Sequence, residues 1–357
     1  MKKKVFVGLS GGVDSSVSAA LLKEAGYDVT GVFIKVWQPD FISCNSKEDR
    51  IDAMRVAAHL GIPFRTLTLE KEYKKEVVDY MLGEYKKGNT PNPDVMCNKQ
   101  IKFGAFLEYA LKEGAGFVAT GHYAQNIFNK KTGLYELCKS KDSEKDQTYF
   151  LWTLIQKELK KILFPVGSLK KSEVRILAKK FGLITADKKD SQGLCFMGKI
   201  DMKKFLKHYI KEKKGIVVDN MGNILGTHEG VMFYTLGERH GFALNKKTPH
   251  NKPYYVVDKN IKENELIVSH RAKYPGKNST EKRIICSKYS FTSFPPKTGD
   301  KLEARVRYRE TLFPCRVIDI QKNKLKISVL NSGHSATSGQ SIVFYKGTEC
   351  VGGGVII

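Results

Sequence analysis

The chain has 357 residues, 61 Lys and Arg against 37 Asp and Glu, and a formal net charge of +24. At roughly 100–200 residues per domain, that length holds two or three domains, each able to bury its own core. A composition that is 41% hydrophobic and 27% charged excludes wholesale disorder, and no apolar run approaches the roughly 18 residues of a membrane span. The start, Met1-Lys2-Lys3-Lys4 and a short apolar stretch interrupted by Ser10, Gly11, Gly12 and Asp14, turns polar too soon for a signal peptide, so a cytoplasmic location is expected.

Residues 3–9 predict a buried strand and Ser10-Gly11-Gly12 a turn. Residues 14–25 predict a helix, with Val17, Ala20, Leu21 and Ala25 near 3.6-residue spacing and Gly26 as its stop. A second strand is expected over 28–37, a helix over 48–60 ended by Gly61, a third strand over 64–69 and a long helix over 70–87. Residues 88–98, with Pro91 and Pro93, read as a loop. A helix over 101–113 and a strand over 117–121 follow. Strands alternating with helices specify an α/β fold with an open, doubly wound parallel sheet, whose ligands sit at the carboxyl ends of the strands. Residues 143–214 read as mostly helical and basic. From about 215, short β-branched runs alternate with Gly and Asn turns, and Pro295-Pro296 separates an early from a late group. The expected division is an α/β domain over 1–210, a small central β domain over 211–280 and a C-terminal β barrel over 281–357. No internal repeat or low-complexity segment is evident.

The charge is concentrated in the second part. Residues 1–150 carry a net +3 and residues 151–357 a net +21. That asymmetry suits a polyanionic partner, nucleic acid before membrane, although solvated lysine-rich helix faces account for it about equally well. The seven cysteines are Cys44, Cys97, Cys138, Cys195, Cys286, Cys315 and Cys350. No pair has C-x-x-C spacing, and an odd count argues against a disulfide scaffold.

The strongest local signal is Ser10-Gly11-Gly12-Val13-Asp14-Ser15 between a strand and a helix start. Two glycines let the backbone turn its N–H groups inward. The helix N-terminus adds partial positive charge, and Ser15 and Ser16 add hydroxyl donors. Such a cradle fits an anion the size of pyrophosphate. The Walker lysine is missing, which speaks against γ-phosphate transfer of the usual kind.

SGGVDS resembles the pyrophosphatase loop of the N-type ATP pyrophosphatases, which cleave ATP to AMP and pyrophosphate. Further segments narrow the resemblance to the tRNA-specific 2-thiouridylases. They are Thr90-Pro91-Asn92-Pro93-Asp94-Val95-Met96-Cys97-Asn98, Ala119-Thr120-Gly121-His122-Tyr123, Lys145-Asp146-Gln147-Thr148-Tyr149-Phe150-Leu151, Asp190-Ser191-Gln192-Gly193-Leu194-Cys195-Phe196 and Ser338-Gly339-Gln340. The match runs from end to end; one departure is Gln192, where many relatives have Thr or Ser. The resemblance implies a tRNA uridine 2-sulfurtransferase in which sulfur replaces O2 of the wobble uridine, position 34 of the tRNA.

That reaction makes chemical sense of the residues. The uracil C2 oxygen is a poor leaving group until adenylation turns it into AMP, after which a sulfur nucleophile can attack C2. Cys97 and Cys195 lie in distinctive loops, and thiolates are strong nucleophiles. Cys97 is expected just before a helix capped by Asn98. By resemblance, Cys195 carries a persulfide from a sulfur carrier or cysteine desulfurase, and Cys97 is the second catalytic thiol, able to pair with Cys195. Direct attack by the persulfide and release of hydrosulfide both remain open. Asp94 is the implied general acid or base, and the other five cysteines read as buried fillers.

The same resemblance implies ATP contacts by Gly8, Leu9, Ser10, Gly11, Gly12, Val13, Asp14, Ser15, Ile34 and Gly121, with Mg²⁺ shielding the pyrophosphate. Asn92, Pro93 and Asp94 are implied to face the target base. His122, Lys145, Asp146, Gln147, Arg307, Tyr308 and Gln340 are implied to contact tRNA, which makes the C-terminal barrel a tRNA-contacting domain. In residues 302–309 arginines recur every second position. A strand there would put Arg305, Arg307 and Arg309 on one cationic face, with Val306 and Tyr308 on the other. Two rival readings are an ATP pyrophosphatase acting on another tRNA base or a small molecule, and a non-catalytic tRNA-binding protein.

Overall fold

The computed structural model describes residues 2–41, 46–190, 201–245, 252–270, 281–330 and 336–357. Its first strands are β1 (Lys4–Gly8), β2 (Asp28–Lys35), β3 (Phe64–Thr68) and β4 (Phe117–Ala119). A hairpin of β5 (Ala124–Asn129) and β6 (Leu134–Lys139) follows, then β7 (Ile162–Leu163). The order β3-β2-β1-β4-β7, all pairings parallel, makes the doubly wound sheet. The chain runs from β1 to β2 on one side and reaches β4 on the other, so the switch point lies between β1 and β4.

Alternation along β1 divides the core. Val5 and Val7 pack with Val17 of α1 (Val13–Glu24) and Ala53 and Val56 of α2 (Ser46–His59). Phe6 packs on the opposite face with Tyr73, Val77, Met81, Ile101 and Phe106. The second layer comes from two continuous helical runs. The first is α3 (Glu70–Tyr73), a π-helical stretch Lys74–Asp79 and α4 (Tyr80–Lys86). The second is α5 (Pro93–Met96), a π-helical stretch Cys97–Ala105 and α6 (Phe106–Lys112).

Two expectations need correction here. The expected loop over 88–98 ends at Asn92, and helix begins at Pro93. Proline fits the first helical position because its missing N–H would have had no partner, and Asn92 caps by accepting from the Val95 N–H at 3.3 Å. Asn98 is therefore not a cap. It lies inside the helical run and donates to the Phe150 carbonyl at 3.2 Å.

Residues 143–214 are not mostly helical among the described residues. They hold α7 (Gln156–Leu159), α8 (Lys171–Lys180), α9 (Met202–Lys207), one short 3₁₀ turn (Thr148–Phe150) and β7. Much of the remainder is irregular chain docked between layers, with Tyr149, Leu151 and Trp152 buried.

The rest is all-β. Strands β8 (Gly215–Val218), β9 (Ile224–His228), β10 (Ala243–Leu244), β11 (Tyr255–Asn260) and β12 (Glu265–Ser269) form a sheet in the order β10-β9-β8-β12-β11. Then come β13 (Glu281–Phe291), β14 (Lys301–Arg305), β15 (Phe313–Gln321), β16 (Lys324–Leu330), β17 (Ser341–Lys346) and β18 (Glu349–Ile356). Their order β13-β16-β15-β14-β17-β18, with β18 pairing back to β13, closes a six-stranded antiparallel barrel. Ile284, Leu302, Val317, Ile327 and Phe344 fill it. The hairpin β5–β6, which the sequence did not announce, joins this barrel where Glu349 pairs with Cys138. A hairpin from the first half of the chain thus extends the barrel's sheet, while the parallel sheet stays separate.

Candidate functional site

The glycine turn leaves β1 at the switch point and enters α1. Gly11 has a φ of +74°, and a Cβ there would sit 2.3 Å from the Asp49 carbonyl oxygen, so only glycine fits. The turn is tied internally. Ser15 Oγ accepts from the Ser10 N–H at 3.2 Å and donates to the Gly12 carbonyl at 3.1 Å, and Ser16 Oγ donates to the same carbonyl at 2.8 Å. After β4 the chain comes back over this turn: a Cβ on Gly121 would lie 2.6 Å from the Ser15 nitrogen. Gly8, the 10–15 turn and Gly121 therefore surround one helix N-terminus, with its unpaired N–H groups and partial positive charge. Leu9 and Val13 are buried under the turn, and Ile34 is buried near the carboxyl end of the adjacent β2.

Asp14 stands at the mouth of this cradle. It accepts from the Tyr123 hydroxyl at 2.7 Å and from Lys171 Nζ at 2.7 and 2.8 Å. Lys171 also pairs with Asp190 at 2.8 Å, and Asp190 meets Lys145 at 2.7 Å and Arg175 at 3.0 Å. Partial desolvation pushes the Asp190 carboxyl upward, but hydrogen bonds from Lys145 and Lys171 outweigh it and hold the group down at about 2. One chain of charges therefore runs from the glycine turn to the first residue of the Asp190–Phe196 motif. Cys195, and Ser191 to Phe196 with it, lie outside the described residues, as does Cys44.

The segment with Asn92, Pro93 and Asp94 is half-buried, and Cys97, one turn into the helix, is 0% exposed. Lys102, on the same helical run, reaches Nε2 of His122 at 3.3 Å. An ammonium only donates, so Nε2 accepts, Nδ1 carries the proton, and Nδ1–H donates to Thr120 Oγ1 at 2.7 Å. Burial, reinforced by the Lys102 charge, holds the His122 pKa well below the ordinary histidine value. The helix of Cys97 is thus fastened to the segment that packs on the glycine turn.

The residues implied to touch tRNA fall into two groups. Several have internal partners. His122 is buried, as described. Lys145 pairs with Asp190. The Gln147 Oε1 accepts from the Tyr123 N–H at 2.9 Å. Asp146, 4% exposed, is joined to the 7%-exposed Arg305 by a short hydrogen-bonded ion pair. Thr148 Oγ1 donates to the Asp146 carboxylate, and Arg305 Nε donates to the Tyr345 hydroxyl at 3.0 Å. Gln340 donates to the Thr90 carbonyl at 3.0 Å. The second group is Arg307, which is exposed although it donates to the Leu236 carbonyl at 3.1 Å, and Tyr308, half-buried against Phe150 at 4.6 Å between ring centroids.

The cationic strand face is a correction. β14 ends at Arg305, which turns into the interface with the α/β layer, and residues 306–309 form a turn. The Glu310 carboxylate accepts from the N–H groups of Val306 and Arg307 and closes that turn, with Arg309 at a φ of +62°. Arg307 and Tyr308 therefore need not lie on opposite faces of a strand.

Among the described thiols, Cys138, Cys286, Cys315 and Cys350 are buried away from the glycine turn. Burial pushes Cys138 up to about 11, Cys286 and Cys315 to about 12, and Cys350 upward as well. Lys171, Arg175 and Tyr123 went unmarked in the sequence reading. Tyr123 sits inside a recognised motif, but Lys171 is 157 positions from Asp14 and only the fold brings the two together.

A glycine turn at the switch point of a doubly wound sheet, closed by the segment after β4, places the chain in the class of nucleotide-binding α/β proteins. Residues 3–199 match the family model described as "tRNA methyl transferase HUP domain". Residues 203–270 match "tRNA methyl transferase PRC-barrel domain", and residues 281–356 match "Aminomethyltransferase beta-barrel domain". The chain belongs to the tRNA-specific 2-thiouridylase family. It is 46% identical over 359 residues to the tRNA-specific 2-thiouridylase MnmA of Streptococcus equi subsp. zooepidemicus (strain H70), covering 99% of this chain and 95% of that protein. Proteins of the same name from Listeria monocytogenes serovar 1/2a and Geobacillus thermodenitrificans are 46% and 44% identical, each covering 99% of this chain and 94% of the relative.

Proposed function

We propose that the protein is an ATP-dependent tRNA uridine 2-sulfurtransferase acting on the wobble uridine. Family membership supplies the reaction. The observation that carries the reading is the Lys102–His122 bond, which fastens the helix of Cys97 to the segment packed against the glycine turn. On this reading the phosphate cradle and the thiol belong to one site.

The uracil O2 attacks the α-phosphorus of ATP, and the bond to pyrophosphate breaks. The 10–15 turn and the α1 N-terminus hold the departing anion, with Gly8, Ile34 and Gly121 lining the nucleotide. Mg²⁺ would arrive with the triphosphate and neutralise the leaving group. Among the described residues no group of three or more His, Cys, Asp or Glu is placed to hold a metal. Asp14 is the carboxylate at the cradle, and phosphate oxygens and water would complete the shell.

A persulfide on Cys195, loaded by a sulfur carrier or cysteine desulfurase, supplies the sulfur. Its terminal sulfur attacks C2 and displaces AMP with the old O2. Cys97 thiolate then attacks the inner sulfur, giving the thiocarbonyl and a Cys97–Cys195 disulfide that a dithiol reductant resets. In the variant route, Cys97 first frees hydrosulfide from the persulfide and the hydrosulfide attacks C2. Asp94 moves the proton at the base, with Asn92 and Pro93 beside it.

The +21 surplus after residue 150 suits the tRNA backbone. Arg307 and Tyr308 are the direct contacts on this reading, while His122, Lys145, Asp146 and Gln147 support the surface from within. The division at 1–210, 211–280 and 281–357 then separates chemistry, a central β unit and tRNA contact. No helix of the described residues is long and apolar enough to cross a membrane, and we place the enzyme in the cytoplasm with its tRNA.

Incubation with ATP, tRNA and a persulfide donor tests the reading. AMP, pyrophosphate and 2-thiouridine are the expected products. ADP as the main tRNA-dependent nucleotide, or AMP without thiolated tRNA, would point to one of the rivals.

A further inference from the structure

Separate stretches of chain converge on Thr90, two residues before the base-facing segment. The Thr90 N–H donates to the Ser338 carbonyl at 2.9 Å, and the Thr90 carbonyl accepts from Gln340 Nε2 at 3.0 Å. The Thr90 and Thr235 hydroxyls meet at 3.2 Å. Just before them, Lys259 Nζ donates to the carbonyls of Gly88 at 2.5 Å and Tyr234 at 2.9 Å. Thr90 is 6% exposed, so both its backbone groups are satisfied by the barrel instead of water. Gly339 makes the approach possible. Its φ is +91°, and a Cβ there would lie 2.9 Å from both the nitrogen and the oxygen of Thr90. A side chain is excluded by conformation and by contact alike.

What Thr90 does reaches the site. Pro91 fixes the φ angle between Thr90 and Asn92 and Pro93 the one just after, so the link from Thr90 to Asp94 is stiff. Asn92 caps the helix that carries Asp94 and leads into Cys97.

We propose that Gly339 and Gln340 are positioning residues. The barrel's Ser338-Gly339-Gln340 turn holds Thr90 and so sets where Asn92, Asp94 and Cys97 stand relative to the target base. The proposal rests on reading 92–97 as the catalytic segment. Gln340 then governs the rate of reaction more than affinity for RNA, and the central β sheet shares the grip through Thr235 and Lys259. A barrel that only gripped tRNA would have no need to bond the backbone of this loop.

The test uses the full-length protein with Gln340→Leu, Thr235→Val and Gly339→Ala. Three quantities are measured: kcat and KM for tRNA, tRNA affinity by direct binding, and hydrogen exchange at residues 88–98. Loss of one hydrogen bond should lower kcat by roughly fivefold in Gln340→Leu with KM for tRNA unchanged. Exchange at the Thr90 amide should quicken. Gly339→Ala should do more of both; if it does not fold, the other two variants carry the comparison. A Gln340→Leu variant with raised KM and weaker tRNA binding, but unchanged kcat and exchange, would make Gln340 an RNA contact and overturn the proposal. If the wild type forms no 2-thiouridine, the functional reading falls separately. Exchange then decides: unchanged protection across 88–98 in the variants refutes the staple.

Discussion

The ammonium of Lys102 donates to Nε2 of His122, 20 positions away, and so fixes that imidazole as neutral with its proton on Nδ1. Burial and the adjacent charge both oppose protonation of the ring. The unfolded chain, whose histidine titrates near roughly 6.5, takes up a proton that the folded state refuses. Stability from this site is therefore complete above that pH and declines as pH falls below it.

His122→Gln should remove this dependence. Urea unfolding at pH 7.5 and pH 5.5 should show wild type losing more stability on acidification than the variant. Equal losses would mean that His122 protonates within the fold, contrary to the geometry.

A second expectation concerns the joint between the α/β layer and the barrel. Asp146 and Arg305 are both nearly enclosed, and Ser140, Thr148 and Tyr345 supply further hydrogen bonds. Removing one partner strands the other charge. Asp146→Ala should destabilise by about 3–5 kcal/mol, whereas an apolar pair, Asp146→Leu with Arg305→Met, should cost much less. Chemical denaturation of the two singles and the double checks this. A double mutant as unstable as the sum of the singles would show the two residues to be energetically independent.

The doubly wound sheet was legible because β1 and β2 carry buried apolar runs and the helices alternating with the strands stop at glycines. The glycine turn was legible because strand, Gly-Gly and helix start are contiguous. The helix start at Pro93 was missed because two prolines read as a break, although proline is at home in a first helical turn. The β5–β6 hairpin was missed because its strands expose Ile127 and Phe128 and blur the alternation. Arg305 was misplaced for a different reason. Period-2 spacing says which residues share a face, but not that the strand stops or that Asp146, 159 positions earlier, waits across the interface. The Asp14–Lys171–Asp190 chain is likewise long-range and left no local trace.

Arg307 should now be tested as a single contact, not as one member of a three-arginine face. It is exposed in the turn after β14 and donates to the Leu236 carbonyl at 3.1 Å. Arg307→Ala should weaken tRNA binding and flatten the dependence of log affinity on log salt by roughly one unit of slope. Turnover at saturating tRNA should persist. A binding titration over a salt series reads both, and unchanged affinity and slope would return Arg307 to ordinary surface.

Lys259 gives a signature at alkaline pH. Burial depresses its ammonium to about 8, against the partial support of Glu238. Between that value and roughly 10.4 the unfolded chain still holds the proton that the folded state has released, so folding becomes more favourable as pH rises. Lys259→Met should lack this gain. Urea midpoints of the two proteins at pH 8 and pH 9.5 should diverge in favour of wild type, and parallel behaviour would contradict the buried environment.

The thiols offer the most direct test of the chemistry. Cys138, Cys286, Cys315 and Cys350 are buried, and burial holds each largely protonated. At neutral pH a thiol with a pKa near 11 is less than about one part in a thousand thiolate, too little for ready exchange or oxidation. Cys97 is also enclosed, at 0% exposure. It should therefore resist alkylation in the free enzyme and become reactive when tRNA and ATP engage the 92–97 segment. Under mild oxidation Cys97 should pair with Cys195 and the four buried thiols should stay reduced, as read by non-reducing peptide mapping. Cys97→Ser and Cys195→Ser should each abolish 2-thiouridine formation while tRNA-dependent pyrophosphate release remains measurable, because adenylation of O2 precedes sulfur transfer. A Cys195→Ser enzyme that still thiolates tRNA, or a map in which Cys97 pairs with a barrel cysteine, would remove the persulfide route and leave the adenylating site without its proposed sulfur donor.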